Sequence, residues 1–229
     1  MHRNQQKIIN VYYFLKYIRI DDRCFNKLQQ VPGYFKVVRI EGTDDQYKIA
    51  DKLCGGCMEL DFNKVSESIY KILSDHSKIQ SIAKKLKDVS DIYVLGRGIH
   101  FPIALEASLK LKEITYIHAE GLPGGELKHG PLALMDSNVY VIIINPNDST
   151  YTDTLASAHE IKARGAKILG ISDIPNEVYD YWIEIPTISE ALFPLIEIIP
   201  IQLLAYYSAL EKDTDPDYPR NLAKSVTVK

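Results

Sequence analysis

The sequence predicts an α/β fold: a three-layer α/β/α sandwich around a mainly parallel, five-stranded sheet. Three observations carry that expectation. Short apolar runs alternate with amphipathic segments from residue 63 onward, as at Ile92-Tyr93-Val94-Leu95 and Lys167–Ile171. These runs are apolar throughout rather than alternating, which marks strands covered on both faces. Glycine and proline fall between the segments, so each element has a stop signal. Asn63 can cap a first helix carrying Val65, Ile69, Ile72 and Leu73, and a second holds Ile79, Ile82, Ala83 and Leu86. Strand Ile92–Leu95 is followed by a helix over Pro102–Ile114, opened by a proline suited to the first turn. Strand Val139–Ile144, helix Ser149–Arg164 closed by Gly165, strand Lys167–Ile171, strand Trp182–Ile185 and a long apolar helix Leu192–Leu210 complete the pattern.

The chain of 229 residues divides by composition into an N-terminal extension, 1–62, to which no chemistry is assigned, and an α/β domain over 63–229. Phe35–Ile40 reads as a strand and Gly42-Thr43-Asp44-Asp45 as a turn. No internal repeat or low-complexity tract is present. A net charge of −3 gives no basic face, so nucleic acid is not an expected partner. There is no run of about 18 consecutive apolar residues, so no membrane span is expected. Ile8–Leu15 is short and broken by Asn10; with Arg3 and Lys7 before it the segment faintly resembles a signal peptide, but no small-residue cleavage site follows. Three cysteines, an odd number, suit reduced thiols in a cytoplasm. Cys54-Gly55-Gly56-Cys57 reads as half a zinc site, a redox pair, or thiols in a glycine-rich turn. No second ligand pair accompanies it, even with Cys24, so neither metal nor cofactor is expected.

The chemistry concentrates on the helix Pro102–Ile114 and the segment after it. At about 100° per residue, Lys110 lies about 40° from Glu106, and Glu113 about 20° to the other side. The three form a narrow charged stripe, while Ala104, Leu105, Ala107, Leu109, Leu111 and Ile114 fill most of the remaining circumference. Such a stripe is either a surface ion pair, worth a few tenths of a kcal/mol, or part of a site. The following loop supplies His118, Glu120, Glu126, Lys128 and His129 between glycine hinges. A histidine beside carboxylates and a lysine can shuttle protons, or simply decorate a surface. The tail carries Lys224, with Leu222, Val226 and Val228 suggesting that it docks on the body. In a parallel sheet ligands bind beyond the carboxyl ends of the strands, and Gly96-Arg97-Gly98 lies there.

Several blocks closely resemble one family. Gly96-Arg97-Gly98, Ala104-Leu105-Glu106, Leu109–Glu113, Tyr116–Glu120, Gly125–Leu134, Gln202–Tyr206 and the entire tail Pro219–Lys229 are similar to the C-terminal part of the glucosamine-6-phosphate synthases. The resemblance runs from about Lys71 to Lys229 and implies the second of that family's two sugar isomerase (SIS) domains. It implies that Glu113 is the base moving a proton between C1 and C2 of the open-chain sugar. His129 would assist ring opening, reaching into a neighbouring subunit's site. Lys224 would approach the C2 carbonyl as a Schiff-base amine. Glu106 and Lys110 would support Glu113, Arg220 would anchor the tail, and Ala223 would lie against substrate. The implied substrate and product are fructose 6-phosphate and glucosamine 6-phosphate, in a homodimer. The family's N-terminal glutaminase and first SIS domain have no counterpart here, and no Ser/Thr-rich phosphate cradle is evident. Phosphate binding and ammonia are therefore expected from another chain or a partner copy. The alternatives are a non-catalytic SIS module that binds a phosphosugar or a protein, and a fragment of a longer synthase.

Overall fold

A computed structural model describes residues 62–222. The strand read at Phe35–Ile40, the three cysteines, and Ala223 and Lys224 of the tail lie outside the described residues. A boundary between compact units falls between Tyr70 and Lys71. Helix α1, Phe62–Ser74, crosses it. Asn63 therefore stands inside the first turn of that helix rather than capping it.

From Lys71 the elements follow the expected alternation. Helix α2 spans Ser77–Lys85, strand β1 Asp91–Gly96 and helix α3 Phe101–Thr115. Then come β2, His118–Pro123, β3, Tyr140–Ile144, and α4, Tyr151–Lys162. Strand β4 spans Lys167–Ser172, β5 Tyr181–Glu184 and α5 Phe193–Glu211. The five strands form one sheet in the order β2-β1-β3-β4-β5, every pair parallel. The expected three-layer α/β/α architecture is present.

β2 departs from the sequence reading. His118–Pro123 was expected to be loop, because a histidine, a glutamate, a glycine and a proline in six residues carry little strand preference. It pairs in parallel with β1 from Asp91↔His118 to Gly96↔Pro123. As an edge strand it ladders on one side only. Its exposed His118 and Glu120 face solvent, while Ala119 and Leu122 are buried.

Side chains alternate between the two layers. Tyr93, Leu95, Val141, Ile143 and Ile168 point to one face, where they meet Ala158 and Ile161 of α4 and Leu127 and Met135 of the segment after β2. On the other face α3 packs on β1 and β2, and α5 packs on both α2 and α3. α5 is long and apolar enough to cross a membrane by length and composition, yet most of it is buried within this unit. It is a core helix here. Ile196, Ile199, Ile201 and Leu204 are each fully buried, contributing about 1.5–3 kcal/mol apiece.

Gly121 sets how near α3 comes to the sheet edge. A Cβ there would lie 2.9 Å from the carbonyl oxygen of Ala104 and 2.9 Å from the Cα of Leu105. Both are backbone atoms of α3, so the only relief is to move the helix. Gly121→Ala is therefore expected to destabilise the fold by about 1–3 kcal/mol through overpacking. Chemical denaturation of the variant beside the parent measures it.

Candidate functional site

Helix α3 carries the charged stripe. Pro102 lies in its first turn, and Tyr116, in the left-handed region at φ 60°, ends it. Ile103, Ala104, Ala107 and Leu111 are buried, whereas Leu105 and Leu109 are 48% and 38% exposed. The helix is thus not apolar around its whole circumference in the sense of burial. Its charged stripe runs along the border between the buried and the solvated arcs. Lys110 Nζ lies 2.6 Å from Glu113 Oε2 and 3.5 Å from Glu106 Oε1. The three side chains keep only 14–28% of their surface. One ammonium between two half-buried carboxylates satisfies both and holds Glu113 in a single orientation. Two buried hydroxyls on α3 turn back on the helix, Ser108 to the Ala104 carbonyl at 2.9 Å and Thr115 to Leu111 at 2.7 Å.

The other sequence-derived residues distribute differently. His129 is exposed and ends the 3₁₀ turn Gly124–His129, on a separate element from the stripe. Lys128 pairs with Glu160 of α4 at 2.9 Å, and His118 with Asp91 at 3.0 Å; both are surface contacts. Arg220 lies against Tyr116, at the C-terminal end of α3. Its guanidinium stacks on the Tyr116 ring at 4.1 Å, and its backbone N–H donates to the Tyr116 hydroxyl at 2.8 Å. Thr214 Oγ1 donates to the Ile114 carbonyl at 2.6 Å, satisfying one end of α3. Leu222, read as a docking residue, is 54% exposed. The tether made by the described residues is polar and aromatic, not aliphatic.

The structure adds a cluster that the sequence reading did not find. His100, in the short 3₁₀ turn between β1 and α3, is wholly buried. Its Nε2 lies 2.6 Å from Asp148 Oδ2, in the segment after β3. Its Nδ1 lies 2.8 Å from Oε1 and 3.0 Å from Oε2 of Glu197, near the start of α5. Glu197 Oε1 has no hydrogen bond of its own among the described residues. The side chains of all three are 0–1% exposed. Burial opposes the charged imidazole, but the hydrogen bonds and charges of Glu197 and Asp148 outweigh it and raise the His100 pKa. Burial likewise opposes ionised Asp148, yet the bonds from His100 and Thr150 win and hold its pKa low. Burial pushes Glu197 upward, and the neighbouring charges of Asp148 and Asp173 add to that.

The cluster lies at the carboxyl edge of the sheet, where α/β folds bind ligands. Arg97, three residues before His100, is ion-paired to Asp153 at 3.4 Å, with Gly124 and Gly125 next to its side chain. The sequence signals were faint: one glutamate inside an apolar helix, and a histidine just before Pro102. His100 is separated from Asp148 by 48 residues and from Glu197 by 97. No group of three or more His, Cys, Asp or Glu arranged to hold a metal occurs among the described residues.

These features agree with the comparisons. Residues 85–212 match the SIS domain model, more than half of the chain, and the chain belongs to the SIS domain family. It is 47% identical over 173 residues to the glutamine–fructose-6-phosphate aminotransferase (isomerizing) of Thermococcus kodakarensis, covering 75% of this chain and 29% of that protein. It is 45% identical over 196 residues to the enzyme of the same name from Fusobacterium nucleatum, covering 84% of this chain and 31% of that one. Among solved structures, the C-terminal domain of glucosamine-fructose-6-phosphate aminotransferase from Francisella tularensis superposes with a TM-score of 0.64. It shares 34% identity over 76% of this chain and 48% of that one. The chain thus spans under a third of the length of these curated relatives.

Stability should depend on pH through the buried cluster. A histidine whose pKa is raised by folding stabilises most below its ordinary value of 6.5; that contribution is lost as pH rises through the folded value. Asp148, held below 3.8, stabilises above that ordinary value, with loss as pH falls through its folded value. Urea unfolding from pH 4 to 9 (about these limits) is expected to show a decline on the alkaline side that His100→Gln flattens.

Proposed function

We propose that this chain is the isomerase half of a hexosamine-phosphate synthase, acting on fructose 6-phosphate in the cytoplasm. Its SIS unit extends over 63–229, with 1–62 as an added segment. The observation that carries the reading is the half-buried stripe of Glu106, Lys110 and Glu113, on a chain similar over most of its length to enzymes named for this reaction. In the reaction, the Lys224 amine condenses with the C2 carbonyl of the open-chain ketose and water leaves; ammonia then displaces the lysine amine to give the C2 imine. Glu113 takes a proton from C1 and returns it at C2, giving the 2-amino aldose. Lys110, with its ammonium 2.6 Å from Glu113, orients the carboxylate toward the carbon acid. Glu106 holds Lys110 from the other side. His129 serves ring opening, and Lys224 the C2 carbonyl as a Schiff-base amine. Arg220, stacked on Tyr116, anchors the tail, and Ala223 is assigned to substrate contact.

An exposed His129 suits a role in a neighbouring subunit's site, so the working form is a homodimer. Leu105, Leu109 and Leu134, at 48%, 38% and 55% exposure, supply apolar surface for such an association. A separate chain is proposed to supply the phosphate grip and the ammonia.

Two outcomes are expected. Sedimentation at tens of micromolar (roughly) shows a dimer; a 26.0 kDa species alone would remove the shared-site role of His129. Paired with a chain carrying a Ser/Thr-rich phosphate loop, the protein converts fructose 6-phosphate, and Glu113→Gln lowers kcat by about 10²–10⁴ with a smaller change in KM. Tight sugar-phosphate binding by this chain alone, with no turnover beside any partner, would favour a binding module instead.

A further inference from the structure

Two strand-end turns meet around the buried imidazole. One is Arg97–His100, which links β1 to α3. The other, Asn147–Thr150, lies between β3 and α4. Carboxylates supply the side-chain hydrogen bonds that hold the second turn. Asp148 Oδ1 accepts the backbone N–H and the hydroxyl of Thr150 at 2.7 and 2.9 Å, while its Oδ2 meets His100. Asp173, after β4, accepts the Asn147 N–H at 2.7 Å and the Thr187 hydroxyl at 2.9 Å. Ser149 donates to Glu190 at 2.8 Å. The turns also touch directly, for a Cβ on Gly98 would stand 3.3 Å from Thr150 Cγ2.

The imidazole has a carboxylate oxygen at hydrogen-bond distance from each ring nitrogen. A neutral ring has one N–H, so it can serve only one of them unless the other carboxyl carries a proton. The three groups therefore share two protons and a net charge of −1. Isolated, each would be costly at this depth. Joined, they link α5, the β1–α3 turn and the β3–α4 turn through one ring.

We infer that His100, Asp148 and Glu197 are positioning residues: the imidazole, carrying both its protons, ties α5 to the β3–α4 turn and so fixes the two turns that meet at the sheet's carboxyl edge. Among the described residues, the charged groups acting on the ring and its partners are acidic: Glu197 from α5, Asp148 from the β3–α4 turn, and Asp173 beyond β4 acting on Glu197. The remaining neighbour is the edge of Phe193 at 6.4 Å. When the imidazole loses its second proton, two carboxylates and a third behind them face a ring that can bind only one. The Asn147–Thr150 turn then loses its tie to α5 and is free to move away from it. This inference rests on the packing alone and not on the sugar-phosphate reading.

Two measurements on the full-length chain, without any sugar, test it. Long-range ¹H–¹⁵N NMR reads the protonation of each His100 ring nitrogen, and amide exchange reads the Thr150 N–H that Asp148 holds. Both nitrogens are expected to stay protonated above the ordinary 6.5. Protection at Thr150, corrected for intrinsic exchange, is expected to fall roughly tenfold or more as the ring titrates. Glu197→Gln should lower the ring's midpoint by about one pH unit or more and move the loss of protection with it. A neutral single tautomer at pH 7 would overturn the inference, with Glu197 then holding the second proton. So would Thr150 protection that is unchanged through the titration, or a Glu197→Gln variant that is less stable but titrates at the same pH. Should that variant not fold, the wild-type titration alone decides. A chain that binds no fructose 6-phosphate leaves both readouts intact, so failure of the proposed function is seen separately.

Discussion

A parallel sheet with helices on both faces has only its strand ends and its outermost edge left for polar chemistry. Every strand here is parallel, and β1, β3 and β4 are almost continuously buried. The polar groups that the interior cannot hold are forced to the carboxyl edge, or to the border of a covering helix. Both solutions are used. The α3 stripe keeps a fraction of its surface and pairs internally. The His100 cluster gives up all of its surface and must satisfy every proton from within.

The two sites have opposite electrostatic characters. On α3, one cation stands between two anions and solvent still reaches all three, so the arrangement can admit a substrate. Around His100 the groups are closed to solvent, and the second oxygen of Glu197 lacks a donor of its own among the described residues. That cost is tolerable only because the cluster organises three separate elements at once. The same edge carries Arg97, ion-paired to Asp153 of α4.

Most of the frame was legible in the sequence because it is written in local periodicity. The uninterrupted apolar runs gave β1, β3 and β4, and Pro102 placed the start of α3 within a residue. The Glu106–Lys110–Glu113 stripe was legible for the same reason: three residues on one helix have a geometry that spacing alone dictates. β2 was not, since its six residues contain neither an apolar run nor clean alternation, and it exists by pairing with β1. The His100 cluster was invisible because its members meet only through the tertiary fold. Leu222 misled for a related reason: aliphatic character implied burial, while the described tail is held by Tyr116 and Thr214.

The position of α5 in chain order bears on how the molecule is made. It is the last described helix, and it closes the layer formed with α2 and α3. On a ribosome the sheet and the earlier described helices emerge first, with the apolar surface under α5 bare until Glu211 has cleared the exit tunnel. Over that interval the nascent chain presents a greasy groove and leaves the Nδ1 side of His100 without Glu197. Chaperone capture is the expected companion of such an interval, and the docking of one glutamate-bearing helix ends it.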